Sequence, residues 1–275
     1  MRRAFPSRYD HTPGTAGFDR WMAFLYQGFA AVYDRLMGDV PYARFAGVFE
    51  EAVKRSQLAP ASVVDLGCGT GAMFSYLLEY TQKIVGVDAS EWMLTQAAER
   101  AKGDPRILLI HGRAETFQIP GRAKWCVSFC DVLNYAQDVT ALRQTFRRVH
   151  HALEPGGYFL FDLLSERYLA QRVGSDAYFE VADDAAYLLR STWNGETHSI
   201  AYDLVVFAKT SDGRYERYDE RHVQRAFDPE WIRNVLGEEG FTAVEVGGDF
   251  SFSPMADPNG DGQPDRFFFL ARRTG

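Results

Sequence analysis

The chain has 275 residues, 46% hydrophobic and 24% charged, with a formal net charge of −7. That length supports one enlarged α/β domain or a domain with a small lid. No apolar run approaches the roughly 20 residues of a membrane span, and the acidic balance argues against a broad phosphate-tracking surface.

The start, MRRAFPSRYDHTPGTAG, has arginines but no apolar h-region, so it reads as a mobile arm over residues 1–17 and not as a signal peptide. A cytoplasmic protein is expected. Cys68, Cys126 and Cys130 cannot all pair and have no zinc-ligand company, so no metal is expected from them. From Phe18 to Arg55 the apolar spacing is helical, through Phe24, Leu25, Phe29, Val32, Tyr33, Leu36 and Met37, with Pro41 separating a second helix, Tyr42 to Arg55.

Ser62 to Leu66 is a short apolar strand carrying Asp65. Gly67, Gly69 and Gly71 follow, then a helical stretch to Tyr80 and a strand from Ile84 to Val87 ending on Asp88. Three glycines in five residues turn the chain sharply and leave no Cβ between backbone and ligand. The helix they open favours negative charge at its free N–H groups. A carboxylate at the next strand end, Asp88, can accept both hydroxyls of a ribose. The unit reads as a nucleoside-binding βαβ half. Dinucleotide folds use GxGxxG, so the GxGxG spacing disfavours a nicotinamide dehydrogenase.

A helix from Ser90 to Lys102 comes next, with Ser90 as N-cap and Trp92, Met93 and Ala97 facing inward. Arg106 to Ile110 and Trp125 to Cys130 read as the third and fourth strands. Asp131, Asn134 and Tyr135 follow the fourth strand, where open α/β sheets bind ligands; Asp131 capping a turn and Asn134 starting a helix is the plainer alternative. Val139 to Leu153 is a basic amphipathic helix. Pro155, Gly156 and Gly157 end it and lead into a fifth strand, Tyr158 to Leu163, carrying Asp162. Strand-like runs at Tyr178 to Val181, Ala186 to Trp193, His198 to Lys209 and Tyr215 to Arg225, with Asn194-Gly195 and Asp212-Gly213 hairpin signals, describe an antiparallel meander. Asp228 then caps a helix to Glu239, and Phe241 to Val246 and Phe267 to Arg272 are the last strands.

The stretch DLGCGTG resembles motif I of the class I S-adenosyl-L-methionine (SAM) methyltransferases. That resemblance implies a Rossmann-like α/β fold: a seven-stranded class I methyltransferase sheet with an N-terminal helical cap (18–55), a SAM-binding core (56–164), an inserted antiparallel β lid (165–227) and the end of the core (228–275). It implies that Asp65, Leu66, Gly67, Cys68 and Gly69 lie against the cofactor, that Asp88, with Ala89 and Met93 nearby, holds its ribose, and that Cys130 lies beside it. Where the family usually shows an Asp for the adenine amine, this sequence has Arg113, Ala114 and Glu115. A guanidinium only donates, so Glu115 or a backbone carbonyl would have to accept. YQGFAAVYDRLMGDVPY resembles the N-terminal segment of small-molecule methyltransferases, which carries Tyr33 and then Tyr26 toward the sulfonium; an amphipathic cap helix would equally bury Tyr26 as core. The resemblance further implies a small-molecule amine or hydroxyl acceptor beside DVLNY, no nucleic-acid or membrane partner, and a monomer or homodimer.

Methyl transfer needs alignment, exclusion of water and a free lone pair, with a protein base where the acceptor is protonated. His222, in a stretch similar to the family's HxQR, is the candidate base beside Tyr33 and Asp131, or else a strand histidine bonded to Asp219 or Glu220. Arg225 is a candidate fork for an acidic substrate group, and Tyr135, Asn134, Asp162 and Tyr168 are further substrate contacts. A non-catalytic SAM-binding module, or an RNA or protein methyltransferase, would keep the same fold. Finally, Asp257 to Asp265, DPNGDGQPD, matches the first half of a calcium loop, but Phe268 stands where the bidentate Glu belongs, so a solvated hairpin loop without calcium is expected.

Overall fold

The computed structural model describes residues 33–34, 40–210, 212–253 and 262–275. Tyr26, the expected arm over 1–17 and residues 257–261 of the calcium-like loop lie outside the described residues. Helix α1, Tyr42–Ser56, buries Phe45, Val48, Phe49 and Ala52, a three-four spacing that makes one apolar stripe. It stops at Gln57, which takes the left-handed conformation.

Strand β1, Val63–Leu66, is buried at all four positions, as a central parallel strand covered on both faces must be. After the glycines only one regular helical turn forms, α2, Phe74–Leu77, not a helix to Tyr80. The N–H groups of Glu79 and Tyr80 bond three residues back, to Tyr76 and Leu77, so the stretch continues as tightened turns. Strand β2, Ile84–Asp88, leads to α3, Glu91–Ala101, where Ser90 accepts from the Met93 N–H. Met93 and Ala97 are buried, whereas Trp92 is 47% exposed, against expectation. One residue is about 100° of helix, enough to carry Trp92 off the Met93–Ala97 stripe.

Strands β3, Ile107–His111, and β4, Ala123–Ser128, are followed by a 3-10 turn, Val132–Tyr135, and by α4, Val139–Ala152, capped by Asp138. The next strand, β5, Leu153–Leu164, already includes Pro155, Gly156 and Gly157. A Cβ on Gly157 would sit 2.8 Å from the Lys124 carbonyl oxygen, so glycine there lets β5 approach β4 closely where their register shifts.

A π-helical turn, Tyr168–Val173, opens the insert, and β6 (Ala177–Val181), β7 (Ala185–Asn194), β8 (Ser199–Lys209) and β9 (Tyr215–Arg225) form a second, fully antiparallel sheet in sequential order. Helix α5, Pro229–Glu238, starts on Asp228, whose carboxylate accepts from the Trp231 N–H at 2.7 Å. The chain closes with β10, Phe241–Gly248, and β11, Arg266–Arg273.

The main sheet runs β10-β11-β5-β4-β1-β2-β3. Strand β11 enters between β5 and β10 and runs antiparallel to both. Side chains alternate across this sheet, Val63 joining the core under α1 and Val64 the core under α4 and α5. Trp125 is fully buried between layers, stacks on Tyr158 at 5.2 Å and donates its indole N–H to the Leu58 carbonyl. Among the described residues no helix is long and apolar enough to cross a membrane.

Candidate active site

The carboxyl ends of β1, β2 and β4 and the inner face of the second sheet enclose one cavity of about 740 Å³. Its floor is the glycine loop. The N–H groups of Gly67 and Cys68 both bond the Val87 carbonyl, which pins the loop to the end of β2. Gly67 has φ +76° and a Cβ there would meet Val132 at 2.4 Å, so no other residue fits. Gly69 has φ +53°, and a Cβ there would meet no protein atom within 4 Å. Backbone at Gly69 therefore faces open cavity.

Asp88 holds this loop in shape. One carboxylate oxygen accepts from the Gly69 N–H and the other from the Ser90 N–H, each at 2.8 Å. Asp65 differs: it is 3% exposed and its Oδ2 has no protein partner. Burial first, and the neighbouring Asp88 second, push its pKa up to about 7. A buried carboxylate short of one partner, beside an open backbone cradle, fits a ligand that brings an ammonium group and a ribose. Leu66, Cys68, Ala89 and Met93 line the same end. So do Arg113, Ala114 and Glu115. Arg113 Nη2 donates to Glu115 at 2.5 Å, which ties the guanidinium to its neighbour.

At the other end, Cys130 and Asp131 both have positive φ, 62° and 55°. Two consecutive non-glycine residues in that region are costly unless their surroundings hold them. Here the Asp131 N–H donates to Asp162 at 2.9 Å, and its carboxylate accepts from Gln224 Nε2 at 2.6 Å and Arg266 Nη2 at 3.0 Å. Asp131 thus caps no turn through its side chain. It joins the core to the second sheet.

Tyr33, Cys130, Asp131, Tyr135, Tyr168 and His222 all lie on the cavity wall. Burial, and Tyr42 nearby, raise the Tyr33 phenol well above its usual range, so it stays a neutral hydroxyl. His222 Nε2 lies 2.9 Å from Glu220 Oε2, both residues buried, and the Tyr135 ring meets the imidazole edge-on at 6.0 Å.

Three expected substrate contacts are placed elsewhere. Asn134 is fully buried and its amide clamps backbone: it donates to the Leu164 and Arg225 carbonyls and accepts from the Leu164 N–H. Asp162 is fully buried behind Arg266, bonded to that guanidinium and to the Asp131 N–H, and burial raises its pKa to about 6. Arg225 turns outward and donates to the Thr197 carbonyl at 2.7 Å. Arg225, Asp162 and Asn134 are thus not among the residues that line the cavity.

Sequence reasoning missed Arg266, Gln224 and Tyr202, all on the cavity wall. Gln224 was discoverable, since it stands two residues from His222 and so shares its face of β9. Arg266 was not, because it reaches the site only through the antiparallel entry of β11, which pairs it with Leu164 at the carboxyl end of β5.

Comparison with known proteins agrees with this geometry. A methyltransferase-domain family matches residues 63–157. The chain is 31% identical over 252 residues, 90% of its length and 99% of the other's, to a putative methyltransferase, GWCH70_2453, of Geobacillus sp. (strain WCH70). It is 30% identical over 251 residues, 91% of its length and 98% of the other's, to the putative methyltransferase YqeM of Bacillus subtilis (strain 168). Its fold is similar to that of an S-adenosylmethionine-dependent methyltransferase from Clostridium acetobutylicum ATCC 824, with TM-score 0.78 and 24% identity, covering 91% of this chain and 99% of that one. The chain belongs to the class I SAM-dependent methyltransferases, with SAM as its methyl donor.

Proposed function

We propose that the protein moves a methyl group from SAM to a nitrogen or oxygen of a small molecule held between the glycine-loop floor and the second sheet. The observation that carries this reading is the single cavity that runs from Gly69 and Asp88 to Tyr33, Tyr135 and His222. A macromolecular acceptor would need an open face; here the four-stranded sheet stands over the cavity with Tyr202 and Leu204 on its wall.

When bound, SAM supplies a methyl group on a positively charged sulfur, open to in-line displacement. Ionised Asp65 would pair with the cofactor's ammonium group, and Asp88 would accept from the ribose with the lone pairs its backbone bonds leave. Tyr33 and Tyr135 exclude water from the acceptor, and the neutral Tyr33 hydroxyl donates to its oxygen or accepts from its nitrogen. Glu220 accepts from His222 Nε2 and orients the imidazole at the cavity wall, where it is the base for an ammonium or hydroxyl substrate. Asp131 orders the wall between them.

The test is label transfer from methyl-labelled SAM to the small-molecule, RNA and protein fractions of a cell extract. Label should appear in the small-molecule fraction and fall roughly 100-fold or more in His222→Ala, the ordinary contribution of a positioned base. Label in RNA or protein alone would overturn the acceptor class, and an unchanged rate in His222→Ala across pH would remove the base.

A further inference from the structure

Three residues without a role so far close a ring at the edge of the site, with Thr70 on the cavity wall. The Thr70 hydroxyl donates to Asp34 Oδ1 at 2.8 Å, Arg100 Nη2 pairs with Asp34 Oδ2, and Arg100 Nε donates to the Thr70 carbonyl at 2.9 Å. They come from three places: the segment before α1, the glycine loop, and the last turn of α3. We propose that Asp34, Thr70 and Arg100 are positioning residues, a clasp that sets Tyr33 in the acceptor wall and couples its placement to the cofactor loop.

The clasp is not explained by stability. Asp34 and Arg100 side chains are both 41% exposed, and an exposed ion pair contributes little by itself. Its geometry is what matters. Thr70 is 2% exposed, lines the cavity, and directly follows Gly69, whose N–H is held by Asp88. Asp34 directly follows Tyr33, and adjacent Cα atoms stand about 3.8 Å apart, so fixing one restricts the other. Tyr33 in turn faces Cys130, Tyr135 and Asp131 across the wall. A continuous chain of contacts thus runs from the ribose-end acid, through Gly69, Thr70 and Asp34, to the tyrosine at the acceptor end. A ligand that orders the glycine loop favours the clasp, and the clasp by reciprocity favours the ligand.

This inference rests on the cofactor lying against Gly69, and its test separates the two. S-adenosylhomocysteine, the demethylated cofactor, serves as the probe: its dissociation rate and its effect on amide hydrogen exchange at Tyr33 and Asp34 are measured in wild type, Asp34→Ala, Thr70→Val and Thr70→Ser. The probe should slow exchange at Tyr33 and Asp34 in wild type. Asp34→Ala and Thr70→Val should lose that protection and release the probe roughly tenfold faster, the scale of one lost charge-assisted hydrogen bond. Thr70→Ser, which keeps the hydroxyl, should restore both. Wild-type protection and release in Thr70→Val and Asp34→Ala, or a Thr70→Ser that behaves like Thr70→Val, would overturn the clasp while leaving the cofactor site standing. No binding to wild type at all would overturn both.

Discussion

Asp65 and Asp88 sit on neighbouring strand ends, and the protein treats them differently. Asp88 is satisfied by two backbone N–H groups, while Asp65 is buried with one oxygen left for a ligand. An acid raised to about 7 when folded holds a proton that the unfolded chain, with its pKa near 3.9, has released. The contribution of Asp65 to the stability of the ligand-free protein should therefore fall as pH rises from about 4 to about 7 and level off above. Asp65→Asn removes that dependence. The gap of roughly three pH units, at about 1.4 kcal/mol each, bounds the gain in the variant at ~4 kcal/mol at pH 8, shrinking to nothing near pH 4. Urea melts at the two pH values check this; equal pH profiles for variant and wild type would show Asp65 to be ordinary. Cofactor affinity in wild type should rise through the same pH range, since only the carboxylate pairs with an ammonium. At Asp88 the expectation is simpler: Asp88→Ala loses the loop anchor and the proposed ribose acceptor together, and S-adenosylhomocysteine titration should show at least a tenfold weaker Kd, on the scale of about 1.4 kcal/mol or more.

The element that decides the site is the turn after β4. Val132 presses against Gly67, Asp131 reaches the second sheet and Asn134 clamps β5 to the end of β9. Gly67→Ala meets two separate penalties, a Cβ at 2.4 Å from Val132 and a positive φ. Val132→Ala in the same chain removes the two γ-methyls but keeps a Cβ at 2.9 Å, so it should recover part of the steric share and leave the conformational share, and the double variant should be more stable than Gly67→Ala and less stable than Val132→Ala. Additive losses in a denaturant series would show that the two residues do not meet. Asn134→Ala removes three hydrogen bonds to backbone, two of them buried, and should cost about 2–4 kcal/mol, a loss that a substrate contact without a structural role would not produce. Elements with strong local signals match their expected spans closely, as α1, α3, α4 and the four strands of the insert do. The helix expected to Tyr80 shrank to one turn because loop geometry, not propensity, sets its start and end.

Across the described residues, two sheets share one cavity and are joined both by hydrogen bonds, Gln224 to Asp131 and Asn134 to Arg225, and by an apolar cluster that includes Leu164 and Ile200. Of the segment resembling half a calcium loop, residues 262–265 are described, and they lead directly into Arg266 at the start of β11. Phe268, at the position of the missing carboxylate, is fully buried and registered with Asp162, and the Asp265 carboxylate is engaged by Arg167 at 2.6 Å. Among the described residues no cluster of three acids, histidines or cysteines is placed for a metal. Thermal melts with calcium and with chelator should coincide; a clear upward shift at sub-millimolar calcium would reveal an ion site.

Local chemistry was enough to read the glycine-loop βαβ unit, and the resemblance of DLGCGTG to motif I supplied its cofactor. DLGCGTG and Asp88 lie within one βαβ unit, where strand, turn and helix periods are all short-range, so loop, strand end and acid can be placed from spacing alone. The rest of the cavity wall was legible only in part. Tyr33, Tyr135 and His222 reach the cavity wall, but Asn134, Asp162 and Arg225, equally polar and equally close to strand ends, are turned to backbone or outward. What separates the two groups is the packing of β9 and β11 against the β4 turn, contacts between residues about 90 to 135 positions apart. Spacing within a strand says which side chains share a face; only the crossing of distant strands decides what that face meets.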